Sequence, residues 1–370
     1  MIVGILKEIK AEENRVSMTP GGVEVMKQNG HTVLVEKKAG IKSGFTDKIY
    51  VNAGAEIVEC PREIYERAEM VMHVKEPLPL EYECIRKGQI IFTYLHLAAN
   101  EKLTRHLVQS GSVNIAYETI QKEDRSLPLL NPMSEVAGRM SIQEGARYLE
   151  MSRGGAGVLL GGVPGVDPGT VLIIGGGIVG TNAAKMACGL GAKVYLLDND
   201  LYRLRYLSDV MPKNCFLLMS KPVTIRKLIR EADLVIGAVL IPGAKAPKLV
   251  TRDMLKTMKR GSVMVDVAID QGGCFETSKA TTHMDPVFTV DGVLHYCVAN
   301  MPGAVPKTST LALTNATLPY AIEIANKGWK RAFRENLEIK HGANVIKGKV
   351  TCKGVADAFG LEYVPVDALM

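Results

Sequence analysis

At 370 residues, with 47% hydrophobic and 23% charged side chains, the chain is too long for one ordinary core and too apolar to be disordered, so two α/β-sized domains are expected. Its net charge of +6 is spread along the sequence, with no basic block or interleaved aromatics for nucleic acid, and no apolar run reaches the roughly 18–20 residues that would span a bilayer. Seven scattered cysteines form no C-x-x-C pair, and the amino terminus lacks a charged n-region, a long apolar core and a small-residue cleavage site, which together imply free thiols in a reducing cytoplasm.

The first third alternates short apolar runs with helix-like stretches. Strands are expected at residues 2–6, 32–36, 56–58, 70–74, 89–94 and 113–117, with helices at 20–28, 61–68 and 100–110. Thr19 is a capping residue, and Pro20 suits a first helical turn. Such alternation implies a largely parallel sheet covered by helices. Residues 134–151 read as a connecting helix capped by Ser134, where the chain crosses to a second domain. Residues 154–169 hold seven glycines and two prolines and cannot form a regular element.

The most informative stretch follows. Residues 171–174 are an apolar run suited to a strand buried on both faces, and Gly175, Gly177 and Gly180 match G-x-G-x-x-G directly after it. The first two glycines permit a tight turn and close approach of a pyrophosphate; the third lets helix and strand pack closely. Ile178 and Val179 open a helix to residue 190, whose free N–H groups favour phosphate. A returning strand ends at Asp198, 198 − 180 = 18 residues after the last glycine, where a carboxylate would accept the ribose hydroxyls. That carboxylate would repel a 2′-phosphate, favouring NAD over NADP, although Arg203 and Arg205 nearby leave the preference open. Strands at 215–219, 233–238, 262–267 and 295–299 extend the pattern, a helix is expected at 311–326, and the chain from Trp329 onward reads as a tail of mixed character.

In an open parallel sheet, ligands bind beyond the carboxyl ends of the strands. Three residues of the first half occupy such posts: Arg15 after the first strand and a polar loop, Lys75 after residues 70–74, and His96 just beyond 89–94. A guanidinium matches a carboxylate, an ammonium supplies a point charge, and an imidazole takes and returns a proton near neutral pH. Each also has a plainer reading: a solvated loop charge for Arg15, a surface strand terminus for Lys75, a core imidazole for His96. His73 shares a face with Lys75 and reads as packing or support. In the second half Asp270 precedes Gln271, Gly272 and Gly273, either as a functional carboxylate or as an Asx-type turn. Asn300 and Met301 hold a similar place. No histidine cluster has metal-ligand spacing and no G-x-S-x-G elbow occurs.

These blocks resemble the alanine dehydrogenase family over essentially the whole chain: Gly4-Ile5-Leu6-Lys7-Glu8-Ile9-Lys10 through Asn14-Arg15-Val16, Val74-Lys75-Glu76-Pro77, Tyr94-Leu95-His96-Leu97-Ala98, Gly175-Gly176-Gly177-Ile178-Val179-Gly180 and Val267-Ala268-Ile269-Asp270-Gln271-Gly272-Gly273. They are also similar to the nucleotide-binding subunit of proton-translocating transhydrogenase. The resemblance implies two doubly wound Rossmann-like domains with a cleft between them, residues 1–133 and 307–370 holding substrate and 134–306 holding NAD. It further implies a homohexamer acting on L-alanine, pyruvate and ammonium. By similarity, Arg15 and Lys75 bind the carboxylate and carbonyl ends of pyruvate, and His96 and Asp270 are the acid/base pair. Cofactor contacts would fall on Ser134, Ile178, Val179, Asp198, Arg203, Ser220, Val239, Leu240, Val267, Ala268, Ile269, Asp270, Lys279, Val298, Ala299, Asn300 and Met301. Some relatives hold magnesium through a histidine; Lys327 stands there in this chain, so no metal is expected. Two other readings remain open: a transhydrogenase component or regulatory dinucleotide module that reduces no carbonyl, and an opine- or saccharopine-type dehydrogenase with a larger substrate.

Overall fold

A computed structural model describes residues 1–239 and 246–370. The chain divides into two compact units, Met1–Met133 with Val305–Met370, and Ser134–Ala304.

In the first unit, β1 (Ile2–Ile5), β2 (Thr32–Glu36), β3 (Glu56–Val58), β4 (Met70–Met72), β5 (Ile90–Thr93) and β6 (Val113–Ala116) are all parallel, in the spatial order β3-β2-β1-β4-β5-β6. This is a doubly wound sheet whose order reverses between β1 and β4. Every residue of β4, β5 and β6 is buried, as expected of strands with helices on both faces. The helix Pro20–Gln28 starts where Thr19 accepts a hydrogen bond from the Gly22 N–H at 3.2 Å. One face of the sheet closes over Leu34, Ile64, Tyr65, Val71, Ile91 and Leu107.

The second unit contains β7 (Thr170–Ile174), β8 (Lys193–Asp198), β9 (Cys215–Met219), β10 (Leu234–Gly237), β11 (Val263–Asp266), β12 (Val287–Val290) and β13 (Val293–Tyr296). Its order is β9-β8-β7-β10-β11-β13, parallel throughout, with β12 added antiparallel at the edge. The winding repeats that of the first unit, with its reversal between β7 and β10. Both units are therefore doubly wound α/β folds. Leu172, Ile174, Val235, Met264 and Phe275 lie at the centre of one core cluster.

Three expectations are corrected. The connecting helix runs Asn131–Tyr148, so Ser134 lies inside it and caps nothing. The run expected at 295–299 is a strand only to Tyr296; a single bridge from Val298 to Thr281 takes the chain off the sheet before Asn300. The stretch after Trp329 is not a mixed tail. The helix Pro306–Glu335 continues through it across a break at Gly328 (φ 68°), and β14 (Ala343–Ile346) and β15 (Lys349–Val350) then complete the first sheet, β14 antiparallel to β6. Among the described residues, no helix is long and apolar enough to cross a membrane.

Candidate functional site

In the first unit the loops after β1, β4, β5 and β6 leave the same carboxyl edge of the sheet, and the first two flank its topological switch point. Arg15, Lys75 and His96 follow three of these neighbouring strands.

Arg15 is not a solvated loop charge. It is 2% exposed and grips Glu13 with two bonds, Nε to Oε1 at 2.6 Å and Nη2 to Oε2 at 2.5 Å. The guanidinium carries five N–H groups, and this edge uses two of them. Its Nη1 faces Met133 Sδ at 2.9 Å. Burial works against the cation, but the hydrogen bond and charge of Glu13 outweigh it and hold Arg15 above its ordinary value. A buried, pre-aimed fork of this kind is suited to a carboxylate.

Lys75 is half-buried two residues beyond His73, and its carbonyl accepts the Thr93 hydroxyl at 2.9 Å, which ties the β4 loop to the end of β5. His96 is not a core imidazole: its side chain is 48% exposed. Its backbone is left-handed (φ 47°, ψ 40°), and the amides of Leu95 and His96 both donate to the Glu118 carboxylate, the latter at 2.6 Å. Glu118 Oε1 also lies 3.9 Å from His96 Nδ1. The ring stacks on Tyr94 with 4° between the planes, while the buried Tyr94 hydroxyl donates to the Leu129 carbonyl at 2.5 Å. Burial pushes that phenol up, and the charge of Arg15 works against the rise.

In the second unit the glycine turn follows β7. Gly175 has φ 106°, which a side chain would resist, and a Cβ at Gly180 would sit 1.8 Å from the Gly175 carbonyl oxygen. Among the described residues, a Cβ at Gly177 would meet nothing within 4 Å beyond its own chain neighbours. The first and third glycines thus serve the turn and the packing; the second keeps open the ground in front of the helix Ile178–Gly189, whose first turn has no side-chain cap. Its unclaimed N–H groups suit phosphate. Asp198 closes β8, accepting from the Gly176 N–H at 2.7 Å and the Asp200 N–H at 2.8 Å. Arg203 donates to the Gly176 carbonyl at 2.6 Å and to Thr181 Oγ1 at 2.8 Å. The residues present fit a dinucleotide.

Several of the other expected contacts follow the carboxyl ends of these strands. Ser220 follows β9, where its N–H bonds the Asp198 carbonyl, and Val239 follows β10. Val267, Ala268, Ile269 and Asp270 follow β11. Asn300 is left-handed (φ 60°) and Met301 is buried. Lys279 is exposed, and Ser134 is half-buried in its helix. Leu240 lies outside the described residues. Asp270 is exposed in a short 3-10 turn, and its carboxylate accepts no hydrogen bond from the described residues, so the Asx-turn reading fails. The turn is held instead by Asp266, fully buried at the end of β11, which accepts from the N–H groups of Ala268, Cys274 and Phe275 and from the Ser278 hydroxyl. Burial pushes the Asp266 carboxyl up, against those four donors.

Glu13, Glu118 and Asp266 were not singled out by the sequence reading, though each had a signal. Glu13 is an opposite charge two residues from Arg15, Glu118 stands past β6 as His96 stands past β5, and Asp266 is the lone acid closing an apolar strand. Among the described residues, no cluster of three or more histidine, cysteine or acidic side chains could hold a metal.

Two sheets wound in the Rossmann order, one of them opening on a glycine turn built for a pyrophosphate, define a dinucleotide-binding α/β protein. Family models for the N-terminal and C-terminal domains of alanine dehydrogenase/PNT match residues 4–137 and 141–353. Alanine dehydrogenases of Methanococcus maripaludis and Staphylococcus haemolyticus are 57% and 59% identical over 368 residues, covering 99% of this chain and 99% and 98% of theirs. A solved L-alanine dehydrogenase superposes with a TM-score of 0.95 at 51% identity, over 97% of this chain and 99% of that one. A transhydrogenase from Sinorhizobium meliloti gives 0.82 at 25% identity, over 95% and 99%. The chain belongs to the alanine dehydrogenase/PNT family. It is an oxidoreductase of a family that uses a nicotinamide cofactor.

Proposed function

We propose that this enzyme interconverts L-alanine with pyruvate and ammonium, using NAD, with residues 1–133 and 307–370 binding the substrate and 134–306 the dinucleotide. The observation that carries the reading is the set of neighbouring parallel strands β1, β4 and β5, each followed by one group a small keto acid needs: a pre-aimed guanidinium, an ammonium and an exposed imidazole. NAD rather than NADP is supported by the Asp198 carboxylate at the end of β8 and by Arg203, whose two bonds are local to the glycine turn. The dinucleotide would be held by the turn Gly175 to Gly180, the helix start at Ile178 and Val179, and Asp198. Family membership is the basis for expecting a cytoplasmic homohexamer, the latter checked by light scattering.

Bound NAD supplies the acceptor for the hydride on the alanine Cα. Arg15 receives the substrate carboxylate and fixes the direction in which Cα points. Lys75 polarises the oxygen on the reacting carbon. His96 removes a proton from the water that attacks the imine carbon of iminopyruvate, then returns one to nitrogen as the carbinolamine collapses to pyruvate and ammonia. Its Nδ1 faces Glu118, which leaves Nε2 as the atom that exchanges the proton. Asp270 holds the water or the departing ammonia. The test is NADH oxidation with ammonium and a panel of 2-oxo acids. Pyruvate-dependent oxidation supports the proposal, silence across the panel favours a dinucleotide module of the transhydrogenase kind, and activity confined to larger substrates favours an opine-type enzyme.

Arg15→Ala is expected to raise the pyruvate KM at least about tenfold, the mark of a lost binding contact. It also removes the two charge-assisted bonds that Arg15 gives Glu13, so stability should fall, read from a denaturant midpoint. An unchanged KM would remove Arg15 from the site.

A further inference from the structure

The catalytic scheme above has no use for His73, yet two acids and a tyrosine hydroxyl surround its ring beneath the β4 loop. It follows β4 directly and is 2% exposed. Its Nδ1 lies 3.4 Å from Glu8 Oε1, from the loop after β1. Its Nε2 lies 3.0 Å from the Tyr65 hydroxyl, on the helix Pro61–Arg67, and 3.4 Å from Glu81 Oε1. The Glu36 carboxylate, at the end of β2, adds a further negative field.

Both of its nearest acids also hold backbone. Glu8 Oε1 accepts the Val74 N–H at 2.6 Å, and Glu81 Oε2 accepts the Leu78 N–H at 2.8 Å. Val74 and Leu78 bracket the segment that carries Lys75. Glu8 additionally lines a cavity of about 160 Å³ with Glu13, Asn14 and Arg15, so the same carboxylate touches the β4 loop and the surroundings of the guanidinium.

We propose that His73 is the positioning residue for the substrate lysine: as an imidazolium it fixes Glu8 and Glu81, and these two carboxylates pin the ends of the segment that presents Lys75. The inference rests on the alanine dehydrogenase reading. Without the cation between them, the carboxylates on either side of the ring lose the charge that holds each one in place, and with it their grip on the two N–H groups.

The charge is in place at neutral pH. Burial alone lowers the affinity of His73 for a proton, but Glu81, Glu8 and Glu36 outweigh it and carry it up to about 9. Because this value lies above that of an unfolded-chain histidine, the contribution of the His73 charge is fully present below the pH at which such a histidine titrates and is lost as pH rises through about 9. The Tyr65 phenol, pushed well above its ordinary value by burial, stays neutral throughout that range.

The test follows the pyruvate KM of the whole enzyme against pH. Wild type is expected to show a KM that rises as pH passes about 9. His73→Gln should start with a KM already about tenfold higher at pH 7.5, on the scale of a displaced binding group, with kcat changed less, NADH binding kept and the rise near pH 9 gone. His73→Gln/Glu81→Gln, which removes one carboxylate together with the cation, should recover part of the lost KM; a packing role alone predicts no recovery. Should His73→Gln fail to fold, Glu81→Gln alone decides, since loss of one facing acid must move the inflection to lower pH. A wild-type KM for pyruvate in His73→Gln, or an unmoved inflection in Glu81→Gln, overturns the inference. A wild type that oxidises no NADH with pyruvate and ammonium overturns the assigned activity instead.

Discussion

Replacing His96 with alanine is expected to slow pyruvate-dependent NADH oxidation about 10²–10⁴-fold, the usual worth of a positioned acid/base group. The ring is half exposed, so the fold should survive its loss. NADH binding, assigned in the proposal to the glycine turn of the other unit, should also be unchanged. The left-handed backbone at His96 calls for a control, because alanine fits φ 47° less readily than asparagine does. His96→Asn accepts that backbone and lacks the imidazole; it should lose as much as His96→Ala. Turnover like that of wild type in either variant would take His96 out of the mechanism. Recovery in His96→Asn alone would mean that the loop, and not the proton transfer, had been measured.

The second large effect separates two glycines that a motif search treats alike. Gly180→Ala drives a methyl to 1.8 Å from a backbone carbonyl, so helix and strand must part, at a cost of about 3 kcal/mol for overpacking a rigid contact. Its melting temperature and its affinity for NADH should both fall. Gly177→Ala meets nothing within 4 Å among the described residues beyond its chain neighbours, and its φ of −66° is ordinary for any residue. Its melting should therefore match wild type to within about 0.5 kcal/mol, while its NADH affinity falls at least about tenfold, because the added methyl stands where the pyrophosphate must approach. Gly177→Ala binding NADH as wild type does would place the phosphates elsewhere.

How much of this was legible in the sequence depended on how far each signal reached along the chain. Local chemistry read well: Thr19 before Pro20 marked a helix start, and three glycines after four apolar residues marked a strand, a tight turn and a helix. The helix at Asn131 was misjudged by three residues because Ser134 has a capping side chain, whereas Pro132 belongs in the first turn. Pairings across long separations were invisible. Residues 343–346 form a strand because β6, more than two hundred residues earlier, offers them an edge. The candidate site divides the same way. Arg15, Lys75, His96 and Asp270 could be picked out as polar groups past strand ends, but the burial of Arg15 depends on Glu13 and Met133, and the setting of His96 on Tyr94 and Glu118. A loop rich in charge reads as solvated until the partner that buries each charge is known.

Direct passage of the α-hydrogen of alanine to the nicotinamide is tested most directly by mass spectrometry of the cofactor formed from L-alanine deuterated at Cα. Reduced nicotinamide carrying one deuterium, formed together with pyruvate, is the expected result. Reduced cofactor carrying only protium, or no reduction at all, would contradict it.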